Sequence, residues 1–378
     1  MLRKDNPKKI CFITAARSEY GVLKWLMNDV QRNNCFQLQL IVTGGHLLQE
    51  QGHTIDTIIN DGFTINATVD AKLDMTSNET IAESMGRMAM KLAPVFNELK
   101  PDLLVVLGDR YELLPICNTA FIMRIPIAHL SGGDITEGAI DDGVRNAVTM
   151  LAEYHFPGTP ASAENIKRMR GSNKNIWTVG EPGLDALNRI KLMTRNELTV
   201  NLGLDINKKW CLMTYHPETK KTIDYNLNTV NNCFEVLNSY DDLQIVITYA
   251  NTDFGGIYIN ELIEKKAEEN PQKFKVITSL GQLRYLSYMK QVKFIIGNSS
   301  SGIIEAPSLG IPVVNIGNRQ KGRYQCKNII QCDTDVDSIN ESIKKAMKKE
   351  VDTSDCSYWG TGNTSEKILE IIQTKIFS

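Results

Sequence analysis

The sequence predicts an α/β protein built from two doubly wound parallel sheets, one after the other along the chain. Three observations carry that expectation. The chain has 378 residues, enough for two domains at ~150 residues each and too many for one small module. Short β-branched runs alternate with amphipathic stretches throughout, which is the rhythm of βαβ units. That rhythm restarts once: after Gly180-Glu-Pro-Gly183 and a polar helical stretch to Lys209, a new apolar run opens at Trp210.

Taken in order, strands are expected at Lys9–Ala15, Gln37–Thr43, Phe63–Val69, Asp102–Leu107 and Ile125–Leu130, with an amphipathic helix at Glu79–Leu99 and a further strand at Asn175–Val179. The second series runs Trp210–Tyr215, Leu243–Thr248, Phe274–Thr278, Phe294–Gly297 and Ile311–Ile316. The expected domains are 1–180 and 181–362. A closing helix, about Thr364–Ile376 within 363–378, is expected to pack back on the first domain. Doubly wound sheets bind ligands beyond the carboxyl ends of their strands, and two such domains normally enclose a cleft. The strand ends are therefore where functional residues are to be sought.

Composition narrows the function classes. With 42 basic and 44 acidic side chains the formal charge is -2, so no basic field favours nucleic acid or an anionic membrane. An anionic ligand must be held by local groups. Five histidines and eight cysteines without a C-x-x-C pair argue against structural zinc and suit a reducing cytoplasm. No apolar run reaches the ~18 residues of a membrane span. The first run, Ile10–Ala16, ends at Arg17 and reads as a buried strand, not a signal peptide. There is no G-x-x-x-x-G-K-[ST]. Gly360-Thr-Gly-Asn-Thr-Ser365 follows no strand and lacks the third glycine of a dinucleotide site. Asp333-Thr-Asp335 reads as a solvated turn and not as a metal site.

Several strand ends carry chemistry. In Phe294-Ile-Ile-Gly-Asn-Ser-Ser-Ser-Gly-Ile-Ile-Glu305 a buried strand leads through hydroxylated residues into a helix near Ser301. Free N–H groups and hydroxyls would converge there as a phosphate cradle, or serve as an ordinary serine N-cap. Glu305, one turn on, is placed to accept from ribose hydroxyls, and Arg319 of Arg319-Gln-Lys-Gly-Arg323 to reach a diphosphate. Arg17 follows the first strand, and Asp109 and Arg110 follow Leu103–Leu107. After the strand at Ile125–Leu130 come Asp134, Glu137, Asp141 and Asp142. Clustered acids raise one another's pKa and so become competent for proton transfer near neutrality; alternatively Asp141 caps the helix that carries Arg145. His129 reads as a core histidine, and His216 of Tyr215-His-Pro-Glu218 as a residue facing the cleft.

Eight segments in order, Thr14-Ala-Ala-Arg-Ser-Glu-Tyr20, Val42-Thr-Gly-Gly-His46, Leu107-Gly-Asp-Arg110, His129-Leu-Ser-Gly-Gly-Asp134, Ile140-Asp-Asp142, Tyr215-His-Pro217, Gly297-Asn-Ser-Ser300 and Arg319-Gln-Lys-Gly-Arg323, resemble the hydrolysing UDP-N-acetylglucosamine 2-epimerases of sialic and legionaminic acid pathways. The likeness runs from about residue 9 to 375. It implies two Rossmann-like domains of glycosyltransferase-B type with a nucleotide sugar between them, a homodimer or homotetramer, and no cofactor. UDP-N-acetylglucosamine and water would give N-acetylmannosamine and UDP by elimination to 2-acetamidoglucal and then hydration. By family position Asp109 and Asp141 would act as acid and base. Arg17, His46, Arg110, Asn251, Ser299, Ser300, Glu305 and Arg319 would bind the substrate, with His216 reaching the phosphates or sugar. The chain departs from the family at Ser131, where several members carry glutamate. Either Asp134 or Glu137 would then move the proton, or the substrate is a variant such as UDP-2,4-diacetamido-2,4,6-trideoxyglucose. A UDP-sugar glycosyltransferase and a non-catalytic UDP-sugar sensor are the rival readings.

Overall fold

The computed structural model describes residues 6–251, 253–351 and 353–378. Its strands are β1 (Lys8–Thr14), β2 (Phe36–Thr43), β3 (Ala67–Val69), β4 (Leu103–Leu107), β5 (Ile127–Leu130), β6 (Tyr154–Phe156), β7 (Lys209–Thr214), β8 (Leu243–Thr248), β9 (Phe274–Ile277), β10 (Phe294–Gly297), β11 (Val313–Ile316) and β12 (Ile329–Cys332). They form two six-stranded sheets, ordered β3-β2-β1-β4-β5-β6 and β12-β11-β10-β7-β8-β9. The pairings are parallel. In each sheet the chain winds outward from one central strand, then returns to lay a strand on its other side. The switch points fall between β1 and β4 and between β7 and β10, and at such a point the connecting loops part and leave room for a ligand.

Burial explains why these runs are strands. A parallel sheet is covered on both faces, so its strands are apolar throughout and not alternating. Along β1, Ile10 and Phe12 pack with Leu23, Met27 and Ile368 on one face, whereas Cys11 and Ile13 pack with Met88, Leu92 and Ile116 on the other. Among the described residues no helix is long and apolar enough to cross a membrane.

Two expectations shift, and two further short strands join the sheets. Of Phe63–Val69 only the last three residues form a strand, with Phe63 packed in the core instead. Asn175–Val179 makes a single bridge, Ile176 to His155, because Asn175 (φ 61°) and Gly180 (φ 96°) turn the chain out of the extended region at both ends. The sixth strand there is β6. In the second sheet β12 completes the edge. Both strands are three or four residues long, too short for periodicity to reveal.

The chain divides into compact units: Met1–Asp134, Asp141–Asn188 and Tyr358–Ser378 make one, Ile135–Ile140 and Arg189–Ser357 the other. The first unit thus extends past the expected limit at 180. Asp185 explains this, since its carboxylate oxygens accept from the N–H groups of Thr364 and Ser365 at 2.7 Å each. They cap the helix Thr364–Ile371, which packs on the helix Arg17–Arg32. Residues 135–140 depart from the expectation more sharply. They join the second unit through Glu137 N–H to Lys321 O (2.9 Å) and Ile140 N–H to Thr219 Oγ1 (3.0 Å).

Candidate active site

In the first unit the ends of β1, β4 and β5 hold the candidates. Arg17 opens the helix Arg17–Arg32 and is half-buried. Glu19 folds back so that its Oε2 accepts from Ala15 and Ala16 N–H at 2.8 and 3.0 Å. Burial pushes its pKa up to about 7, with Arg110 pulling it down and Glu112 adding to the rise. Arg110 itself is buried, 3.0 Å from Glu112 Oε1, so part of its guanidinium is engaged within the protein. His46 is enclosed, 3.0 Å from Thr14 Oγ1 and 2.7 Å from Thr54 Oγ1. Burial drives its pKa down to about 4. With both ring nitrogens held by threonines, His46 braces the loop after β2. In this arrangement it offers no nitrogen to a ligand.

The acids are organised by a cation. Arg145, on the helix Asp141–Leu151, is fully buried and donates to the carboxylate of Asp109 and to the carbonyl of Asp134 (2.9 Å). It also lies 3.7 Å from Asp142 Oδ1. Asp134 Oδ1 in turn accepts from Ser162 Oγ at 2.5 Å. Asp141 is the first residue of that helix, half-buried, where the helix N-terminus favours a negative charge. The mutual repulsion expected of four clustered carboxylates is therefore not what builds this region. The guanidinium takes the central place, and Glu137 stands apart: it is exposed, paired with Lys321 at 2.8 Å, and held below the usual carboxylate range by that lysine. Asp109, with 23% of its side chain exposed, keeps a face toward solvent while Arg145 fixes the other. His129 is the core residue expected. Its Nε2 donates to Gly108 O (2.8 Å) and its Nδ1 accepts from Thr149 (3.2 Å), which pins the turn that presents Asp109.

In the second unit Asn298, the residue after β10, has the organising role. Its Oδ1 accepts from His216 N–H (2.7 Å) and its Nδ2 donates to His216 O (2.8 Å), locking the end of β7. Its carbonyl accepts from Gln320 Nε2 (2.8 Å) and Arg319 (3.4 Å). His216 Nδ1 accepts from the backbone N–H of Asn251 (3.1 Å), so the ring proton resides on Nε2 and that nitrogen is a donor. Asn251 acts here through its backbone. Arg319 is buried, 4.0 Å from Asp253. Ser299 is the N-cap of the helix Ser300–Leu309, yet its hydroxyl makes no cap bond. It lies 3.0 Å from Ser301 Oγ, which bonds Tyr285. Ser299 is thus the N-cap by position without a side-chain cap bond, and Ser300 opens the helix. Glu305 is half-buried, and burial lifts its pKa to about 7.

Sequence reasoning passed over two organising residues, Arg145 and Asn298. A signal existed for Arg145, a charge set among Val144, Val148 and Thr149 on the buried face of its helix. A charge on an apolar stripe requires a buried partner. Asn298 left only its position beside a buried strand end.

The chain matches the family model described as UDP-N-acetylglucosamine 2-epimerase over residues 28–373. It is 32% identical over 345 residues to a GDP/UDP-N,N'-diacetylbacillosamine 2-epimerase (hydrolyzing) of Campylobacter jejuni, covering 91% of this chain and 89% of that one. It is also 32% identical over 368 residues to a UDP-N,N'-diacetylbacillosamine 2-epimerase (hydrolyzing) of Legionella pneumophila, covering 97% and 96%. In fold it resembles the UDP-GlcNAc 2-epimerase of Methanocaldococcus jannaschii solved with UDP-GlcNAc and UDP, with a TM-score of 0.81 at 20% identity over 97% of this chain and 99% of the other. The two Rossmann-like sheets are thus of glycosyltransferase-B type. The chain belongs to the UDP-N-acetylglucosamine 2-epimerase family and is an enzyme, a hydrolysing UDP-sugar 2-epimerase.

Proposed function

We propose that the enzyme converts UDP-N-acetylglucosamine and water to N-acetylmannosamine and UDP, with no redox cofactor. The observation that supports this reading best is the Arg145 assembly, which ties the Asp109 carboxylate after β4 to the backbone carbonyl of Asp134 after β5. The C2 proton is scarcely acidic, so inversion proceeds by elimination of UDP across C1–C2 and then hydration of 2-acetamidoglucal. Asp109 and Asp141 are the acid/base pair in this reading. Of the two residues weighed as replacements for the missing acid at Ser131, Glu137 is tied to Lys321, and the carboxylate of Asp134 accepts from Ser162. His216, through its Nε2–H, and Arg17, Arg110, Ser299, Ser300 and Arg319 would stabilise the departing diphosphate, with Glu305 on the ribose. A cytoplasmic homodimer or homotetramer that feeds sialic acid synthesis completes the proposal.

A specific observation favours a second substrate: the two 32% identical relatives are named for N,N'-diacetylbacillosamine. Incubation in deuterated water tests both. Deuterium at C2 of released N-acetylmannosamine supports the first, and turnover confined to the UDP-2,4-diacetamido-trideoxy sugar supports the second. Transfer to an acceptor with C2 unlabelled, or binding without turnover, would overturn both.

A further inference from the structure

Ser131 and Glu181, fifty residues apart, meet beside the acid cluster. Ser131 is the next residue after β5, and the pairing of Leu107 with Leu130, extended by Gly108 N–H to Leu130 O (3.0 Å), sets it across from Gly108, one residue from Asp109. Its backbone is left-handed, with φ 57°, a conformation a serine adopts only where its surroundings demand it. Its side chain is half-buried, while Glu181 behind it is only 4% exposed. The serine hydroxyl donates to Glu181 Oε2 at 2.8 Å. Glu181 is itself fixed. Its N–H donates to Trp359 O at 2.7 Å, and its carboxylate fills the space over Gly158, where a Cβ would fall 1.8 Å from Oε1.

A half-buried hydroxyl in front of an immobilised carboxylate can pass a proton that the hydroxyl alone could not hold. We propose that Ser131 and Glu181 form a relay that removes the C2 proton of the sugar, with Ser131 touching the substrate and Glu181 acting as a positioning residue behind it. The inference rests on the epimerase reading above. In the elimination the C2–H bond breaks and its proton passes to Ser131 Oγ as the serine's own proton passes to Glu181 Oε2. The C–H electron pair becomes the C1=C2 double bond, and the C1–O bond breaks with its pair leaving on UDP. In the hydration an acid on the opposite face gives a proton to C2 and recovers one from the water whose OH joins C1. Glu181 then loses its proton through Ser131 to solvent, which restores the starting state.

The test compares Glu181→Gln, Ser131→Ala and the double variant Ser131→Glu/Glu181→Gln with the unaltered enzyme, using UDP-N-acetylglucosamine carrying protium or deuterium at C2, and the corresponding diacetamido sugar if that proves to be the substrate. Glu181→Gln keeps the volume and the acceptor for the serine but cannot take a proton. The expected result is a kcat lowered about 10²-fold or more with KM within about threefold, and a C2 isotope effect larger than in the unaltered enzyme. The double variant, with a carboxylate placed directly at 131, should regain at least about tenfold of the loss. Melting temperature separates misfolding from chemistry: a single variant that melts like the unaltered enzyme and keeps its kcat within about threefold overturns the relay. A kcat loss with an unchanged isotope effect and no recovery in a folded double variant overturns it equally. If the unaltered enzyme itself leaves C2 unlabelled in deuterated water, the epimerase reading fails, and it fails independently of these variants.

Discussion

The two units share one strand order but hold their strand ends with opposite chemistry. In the first, a fully buried guanidinium, Arg145, gathers Asp109, the Asp134 carbonyl and Asp142. In the second, the neutral side-chain amide of Asn298 clamps His216, and the backbone carbonyl of Asn298 accepts from Arg319 and Gln320. A buried cation is costly unless paired, and once paired it fixes its carboxylates rigidly. Such an arrangement suits groups that must meet a proton in a set geometry. An amide can accept and donate at once without charge, so it orders a loop while leaving nearby cations and N–H groups for an anion. In the proposed reading, the same topology would then serve proton handling in one unit and anion holding in the other.

The sharpest way to break the comparison is Asp109→Asn. UDP release should fall by roughly 10²- to 10⁴-fold, and a rate like that of the unaltered enzyme in a steady-state assay would remove Asp109 from the chemistry. Arg145→Met removes the guanidinium that donates to Asp109 and to the Asp134 carbonyl. It should lower stability by about 3–5 kcal/mol, read as a large drop in melting temperature. If Arg145→Met melts normally, the cation is not what organises the first unit. Asn298→Ala should leave the fold intact but weaken UDP by ~1–3 kcal/mol in calorimetry, since two hydrogen bonds to the His216 backbone are lost. Equal affinity would show that His216 needs no clamp. The last effect is one of pH and concerns Glu19. Its folded pKa of about 7 lies above the ordinary 4.5, so the folded chain holds this proton more tightly than the unfolded one. The stability it contributes is complete below about pH 4.5 and is lost as pH rises toward 7, on the order of 3 kcal/mol. Glu19→Gln should flatten that decline in a series of melting temperatures across the window.

Much of this was legible in the sequence, for reasons the structure makes plain. The central strands are buried on both faces, so their composition alone marks them, and Asp109, Arg110, His216 and Ser299 follow such strands directly. What escaped notice depends on contacts between distant residues. Arg145 meets Asp109 across 36 positions, and Ser131 meets Glu181 across 50. Arg110 and His46 carry the residue types of a binding site, yet each is engaged inside the protein, by Glu112 and by two threonines respectively. Residue type reports what a side chain can do; its partners decide how much of that remains for a ligand.

The cap that Asp185 places on the helix Thr364–Ile371 also bears on the order in which the protein assembles. Residues 358–378 belong to the first unit, so that unit lacks a helix and leaves Asp185 without these two N–H partners until that segment, which follows 189–357, has been synthesised. The stretch 189–357 is complete earlier, on a ribosome adding about 5–20 residues per second. Of the two units, the one that begins first is therefore the one that closes second.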